Sequence, residues 1–266
     1  AVVYRFIPIA IIMALISISC GQSLKFNLKD AKILFIYSFF CCSINFILFY
    51  YAAIYTITSI SAIIFSFSII IIALLKYFFV HKLDQVKPII FSSLLGIVGL
   101  VFIMWQKISV STGLNAWIGV AIGCFGTIIY SIGSLFYERM SPALSIKPIP
   151  AFTIISAFGA GISFMAFLVH SLIFGQEVNF VPNFSFSFLF SYLYLIVSGF
   201  GILFIMLLIK RIGATKAAYV NLITPIVATL ASSIFEDYRI LLSTIIGILL
   251  VFISNYLAIL TKEGKK

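Results

Sequence analysis

The segment KAAYVNLITPIVATLASSIFED, Lys216 to Asp237, sets an asparagine and a proline inside an apolar run long enough to cross a bilayer. Pro225 has no amide proton to give the carbonyl four residues back, which belongs to Asn221. In hydrocarbon an unpaired carbonyl costs several kcal/mol, so such a break persists where protein or a water-filled cavity satisfies it. Ala217, Asn221, Pro225, Ala228 and Ser232 recur at spacings of three to four and so share one helix face. That face offers recognition chemistry: an amide, a hydroxyl and a freed carbonyl that could exchange hydrogen bonds with a small solute. The competing reading is a structural kink in which Asn221 bonds a neighbouring helix. Tyr219 and Thr224 flank the break, and Asn45, Ser59, Ser66 and Tyr130 are further intramembrane polar candidates. Serine and threonine often bond their own helix instead.

The ionisable residues narrow the solute. All seven acids (Asp30, Asp84, Glu138, Glu177, Glu236, Asp237 and Glu263) fall in loops, at helix ends or in the tail, which disfavours a proton relay through a membrane carboxylate. No lysine or arginine is expected near mid-membrane, which disfavours phosphate-bearing substrates. A neutral, zwitterionic or hydrophobic solute fits better. His81 and His170 read as interfacial. Cys20, Cys41, Cys42 and Cys124 suggest neither a disulfide nor a metal site, and no cofactor is expected.

These groups need elements to hold them. The chain is 63% hydrophobic and only 9% charged, with a mean hydropathy of +1.25, which marks a membrane protein. Apolar runs predict an all-α fold of nine transmembrane helices, near Val3–Gly21, Ile33–Ile54, Ile57–Val80, Pro88–Trp105, Leu114–Phe136, Pro150–Phe174, Phe186–Ile209, Gly213–Phe235 and Ile240–Leu260. Runs such as SIIIIALL do not alternate as barrel strands would. The net charge of +10 sits in short clusters between apolar runs, so it signals topology and not nucleic acid. Lysine and arginine gather in alternate connections and in the tail, which predicts a multi-pass protein of the cytoplasmic (inner) membrane with a cytoplasmic C-terminus. Gly119, Gly123, Gly126 and Thr127 form a small-residue seam suited to helix packing, and Asn255 is expected to bond another helix.

The chain also repeats. With Ile69 placed over Pro225, the helix following each aligns as SSLLGIVGLVFI (Ser92–Ile103) over STIIGILLVFIS (Ser243–Ser254), and Gly96 matches Gly247. In the drawn topology the two copies run in opposite directions, an inverted repeat of the transporter type. The copies divide at 1–112 and 113–266. The first has one helix fewer than the second, so a ten-helix fold lacking its first helix is expected.

At these residues the sequence resembles the EamA-type transporters of the drug/metabolite transporter superfamily. The match in the second copy is LLIKRIGATKAAYVNLITPIVATL, through Lys210, Gly213, Asn221 and Pro225, followed by TIIGILLVF. In the first copy YAAIYTITSISAIIFSFS matches through Ala53, Ser59, Ala62 and Ser66. Two features depart from the pattern: Ile69 stands where the family places a proline, and Val80-His81 in the first copy and Phe235-Glu236-Asp237 in the second replace its Gly-Glu turn. The resemblance implies a polar-lined cavity between the repeats, alternating access, and substrates such as amino acids, metabolites or drugs. A permease or exporter is therefore expected. The partners are the lipid bilayer and a small-molecule substrate, and the sequence leaves a homodimer open. The alternatives are an integral membrane enzyme acting on lipid, for which the interfacial acids and histidines are too scattered, and a non-transporting remnant.

Overall fold

The computed structural model describes the chain except residues 1, 57, 81–85, 109–115, 175–185, 224, 228–240 and 261–266, and except the side chains of 4, 58–59, 80, 86, 105–108, 173–174, 186–198 and 259. Every regular element among the described residues is helical: α1 (Val2–Ser19), α2 (Leu28–Tyr37), a π-helix (Ser38–Ile44), α3 (Asn45–Tyr55), α4 (Thr58–Ser66), α5 (Ser68–Val80), α6 (Val86–Ile108), α7 (Ala116–Met140), a 3-10 turn (Ser141–Ala143), α8 (Pro148–Phe174), α9 (Phe186–Ile212), α10 (Ala214–Ala218) and α11 (Leu242–Leu260). Residues 220–223 and 225–227 are helical as well. Five segments of the described residues are long and apolar enough to cross a membrane: Leu28–Tyr55, Ile60–Phe79, Lys87–Met104, Ala116–Ala143 and Pro148–Leu172. Arg5–Ser19 and Leu242–Ala258 are shorter apolar helices. Exposed Ile11, Leu15, Phe78, Phe91 and Phe252 give these helices the outer face that lipid requires. This is a multi-pass membrane protein.

The chain forms two compact units, Ala1–Ile47 with Phe136–Lys210 and Leu48–Leu135 with Arg211–Lys266. Each unit thus takes segments from both sides of residues 112 and 113.

In the first unit α1 packs on α8, with Phe6, Ile9 and Met13 buried along α1 and Phe152 and Ile155 buried along α8. The bare backbone at Gly199 makes room for the Ile9 side chain. Asn27 caps α2 by accepting the Asp30 amide at 2.7 Å. Asp30, in the first turn of α2 where the helix dipole favours a carboxylate, is fully buried. Its two oxygens accept the Ser145 amide at 3.2 Å and the Ser145 hydroxyl at 2.5 Å, tying the start of α2 to the segment before α8. Hydrogen bonds to a charged group contribute roughly 1.5–3 kcal/mol, so Asp30→Ala should lower stability by about that amount in a detergent melt. A melt unchanged by this substitution would show the tie to be idle.

The second unit is centred on α6 and α11, which cross tightly and antiparallel. A Cβ on Gly99 would lie 2.7 Å from the Gly247 carbonyl oxygen, and one on Gly247 would lie 2.7 Å from an Ile103 side-chain carbon. One on Gly96 would meet the Ser254 hydroxyl at 2.6 Å. The small-residue seam of α7 packs as expected: Gly119 lies against Ala52 and Thr56, Gly126 against Leu48 and Phe49 of α3, and Gly123 against Ile64 of α4. Asn255 departs from expectation, because its amide donates to the Val251 carbonyl of its own helix at 2.9 Å. A carbonyl one turn back is always within reach of such a side chain, whereas a partner on another helix has to be placed there.

Candidate functional site

Two helices of the second unit are broken. The run read as one helix from Ile57 to Val80 is interrupted at Phe67 between α4 and α5, although it has no proline. Its amide takes the carbonyl three residues back, Ile64, at 3.1 Å. Serines on either side favour this. The Ser66 hydroxyl bonds the Ala62 carbonyl of its own helix at 2.9 Å, a competition with the backbone that bends helices. The second interruption falls at Tyr219, upstream of Pro225, where the break was expected. The Tyr219 amide bonds the Lys216 carbonyl at 3.2 Å, and the Leu222 amide bonds the Tyr219 carbonyl at 3.1 Å, both over three residues. Pro225 itself lies in a helical stretch and is buried. A proline can be carried in a helix whose neighbours absorb the missing bond, and here the segment starts at Gly213, whose φ is 87°, and turns irregularly at Tyr219, midway between that glycine and the proline.

The broken ends are served by hydroxyls from α7. The Thr127 hydroxyl lies 2.9 Å from the Gly123 carbonyl and 3.4 Å from that of Ile64, and the Ser131 hydroxyl lies 2.7 Å from the Thr127 carbonyl and 3.5 Å from that of Ser68. Neighbouring side chains of this kind are what make an interrupted helix tolerable within hydrocarbon.

Asn221 joins the two breaks. Its side-chain amide donates to the Ser68 hydroxyl at 3.2 Å, linking the residue two beyond the Tyr219 turn to the first residue of α5. Both are buried. Tyr219 points to α6, where its hydroxyl lies 2.6 Å from that of Ser92, 3.3 Å from that of Ser93 and 3.3 Å from the Ile89 carbonyl. The Ser254 hydroxyl donates to the Ser92 carbonyl at 2.6 Å, which extends this polar cluster to α11.

The sequence candidates therefore separate. Asn221, Tyr219 and Ser66 lie within the second unit as buried groups with partners, and Pro225 is buried there too. Tyr130 is buried with its ring centroid 4.7 Å from that of Phe65. Asn45 lies in the first unit, buried, with a side-chain oxygen that no described residue satisfies. Thr224 lies outside the described residues, as does the Ser59 side chain. Ser68, Ser92 and Ser131 were missed. Their one sequence signal is a hydroxyl inside an apolar run, which does not tell a partner on another helix from one on the same helix.

The model of the EamA-like transporter family matches residues 117–260. The chain belongs to that family. Its members are membrane transporters. Among curated proteins nothing matches the chain. A solved crystal structure of a protein is similar over 98% of this chain and 86% of its own length, with a TM-score of 0.72 and 15% identity. That similarity extends the shared fold beyond the family match to nearly the whole chain.

Proposed function

We propose that the protein is a permease or exporter of a small organic solute, neutral, zwitterionic or hydrophobic, working by alternating access around a polar-lined cavity in the cytoplasmic membrane. The observation that carries this reading is the Asn221–Ser68 bond between two broken helices in a chain of a transporter family. Broken helices leave main-chain polar groups and short polar side chains at membrane depth, where a passing solute can exchange bonds with them.

The inverted repeat is part of the same proposal and has its own support. Under the alignment of Gly96 with Gly247, Ile103 falls on Ser254. The approach of Gly96 to Ser254 and that of Gly247 to Ile103 are then reciprocal, as a two-fold axis between antiparallel copies requires. On this reading the fold is built of two inverted copies, with the C-terminus cytoplasmic. Asn221, Pro225, Tyr219, Thr224 and Tyr130 from one copy, and Ser59 and Ser66 from the other, offer the solute contacts.

The full-length protein reconstituted in vesicles should carry at least one amino acid, amine or small drug with saturable kinetics. Absence of saturable flux across such a panel, with conversion of vesicle lipid in its place, would identify an enzyme.

A further inference from the structure

The corner of the first unit where α2 begins gathers cations without anions to meet them. Lys25, Lys29, Lys32 and Lys147 are exposed, and among the described residues none of them is in an ion pair. Hydrogen bonds hold their two segments together. Asp30 accepts the Ser145 amide at 3.2 Å and the Ser145 hydroxyl at 2.5 Å, and the Asn27 side-chain amide lies 3.5 Å from that hydroxyl. Lys25, Lys29 and Lys32 stand within two residues of Asn27 or Asp30, and Lys147 stands two beyond Ser145. Two residues of chain span at most about 7 Å, so all four backbones stay close to the bonded pair. Asp30 offsets one of the four charges and is fully buried, which leaves the corner positive with its carboxylate turned from solvent.

An apolar surface begins at the same level. Phe26 and Leu28 interleave with the lysines and are 47% and 74% exposed. From this corner α2 and α8 run side by side in the same direction, since Asp30 meets Ser145 at their start and the Ser38 hydroxyl bonds the Ile155 carbonyl further along. On the outer side of the pair Phe35, itself exposed, meets Phe158 of α8 edge-on with ring centroids 5.4 Å apart and stacks with Phe39 at 6.3 Å. Next to Phe158 the small residues Ala157 and Gly161 are exposed, and nothing lies within 4 Å of the Gly161 Cβ position. Rings beside small residues make a shallow groove. At 1.5 Å per residue Phe35 lies about 10 Å beyond Leu28, so with the lysines among the headgroups its ring reaches the hydrocarbon.

We infer that this corner is a binding site for an anionic phospholipid. The phosphate sits among the ammonium groups of Lys29, Lys32 and Lys147, each a point charge with three donors, and one acyl chain follows Phe35 and Phe158 along the groove between α2 and α8. General attraction to an anionic membrane surface treats every exposed cation alike. This corner differs in placing unpaired cations from two segments directly above an aromatic groove. A soluble acidic partner would use the lysines and leave the rings idle. A phosphate shared by Lys29 and Lys147 also clasps the junction that Asp30 and Ser145 hold, so bound lipid stabilises the folded protein. The site does not depend on which solute the protein carries.

The test is melting of the full-length protein in non-ionic detergent with phosphatidylglycerol, phosphatidylcholine of the same chains, or inorganic phosphate, alongside native mass spectrometry of the lipid retained. Phosphatidylglycerol should raise the melting temperature and stay bound, and the other two should do neither. Lys29→Gln, Lys32→Gln and Lys147→Gln should weaken its retention about fivefold per lysine removed. Their melts without lipid should match the wild type, because these side chains have no ion pair to lose. Phe35→Ala should weaken retention as well. Lys210→Gln with Arg211→Gln removes the same charge as Lys29→Gln with Lys32→Gln from another exposed pair and should leave retention unchanged. Equal losses from the two charge pairs would reduce the site to general attraction and overturn it, as would equal effects of phosphatidylcholine or full retention in Phe35→Ala. A rise in melting with inorganic phosphate alone would show a free-anion site and overturn the lipid.

Discussion

Gly99→Leu should abolish the native packing of the second unit, giving protein that aggregates or melts far below the wild type in detergent. A Cβ at this position would already stand 2.7 Å from the Gly247 carbonyl, 2.9 Å from a Val251 methyl and 3.0 Å from the Leu250 Cβ. The first of these is main chain and cannot rotate away. Overpacking of well-packed contacts costs about 1–3 kcal/mol for a few added carbons, so Gly99→Ala should fall in that range and the four-carbon leucine side chain beyond it. The helices lose a close approach of backbones that in lipid supplies much of their attraction, because hydrocarbon offers no hydrophobic drive between them. Gly161→Ala is the control: nothing lies within 4 Å of its Cβ position, and alanine is the better helix former by up to about 1 kcal/mol. Gly161→Ala should therefore match or exceed the wild-type melt. If Gly99→Leu melted with the wild type, α6 and α11 would not meet there.

Asn221→Ala should cut transport by at least tenfold while lowering stability by only about 1 kcal/mol, the usual net contribution of one hydrogen bond. The contrast arises because the bond joins two interruptions instead of two continuous helices. Ser68 keeps its carbonyl near the Ser131 hydroxyl, and α5 continues regularly after it, so the local fold has other supports. The Asn221 amide on the Ser68 hydroxyl bonds the two broken ends to each other. A double cycle with Ser68→Ala separates the two roles. If Asn221 acts through Ser68 alone, the double variant should transport no worse than either single one. If Asn221 also contacts solute, Asn221→Ala should be the more severe and should shift the solute preference. Full transport in Asn221→Ala would remove this residue from the site.

Most of the helical frame was legible because membrane insertion imposes a coarse rule on sequence. Runs such as Pro88–Trp105 and Pro150–Phe174 differ from α6 and α8 by a few residues at the ends. The glycines of α7 were equally readable, since small residues at helical spacing have few uses except close approach. What escaped depends on which partner a side chain finds. Ser38 and Ser43 look like any serine in an apolar run, yet their bonds to the Ile155 and Gly159 carbonyls accompany the π-helix on Ser38–Ile44. The proline at 225 advertised an interruption, while the actual turns at Phe67 and Tyr219 rest on three-residue bonds that no residue type demands. Asp30 reads as an ordinary helix-end acid, yet it is fully buried and bonded by Ser145, a residue far away in the chain.

Counterflow in vesicles is the most direct test of transport by alternating access. Vesicles holding the full-length protein and loaded with unlabelled solute should accumulate trace labelled solute transiently, above its equilibrium level, because the reorienting carrier returns loaded from each side. Labelled solute that only approaches equilibrium, with no overshoot and no dependence on what the vesicles contain, would contradict such a carrier.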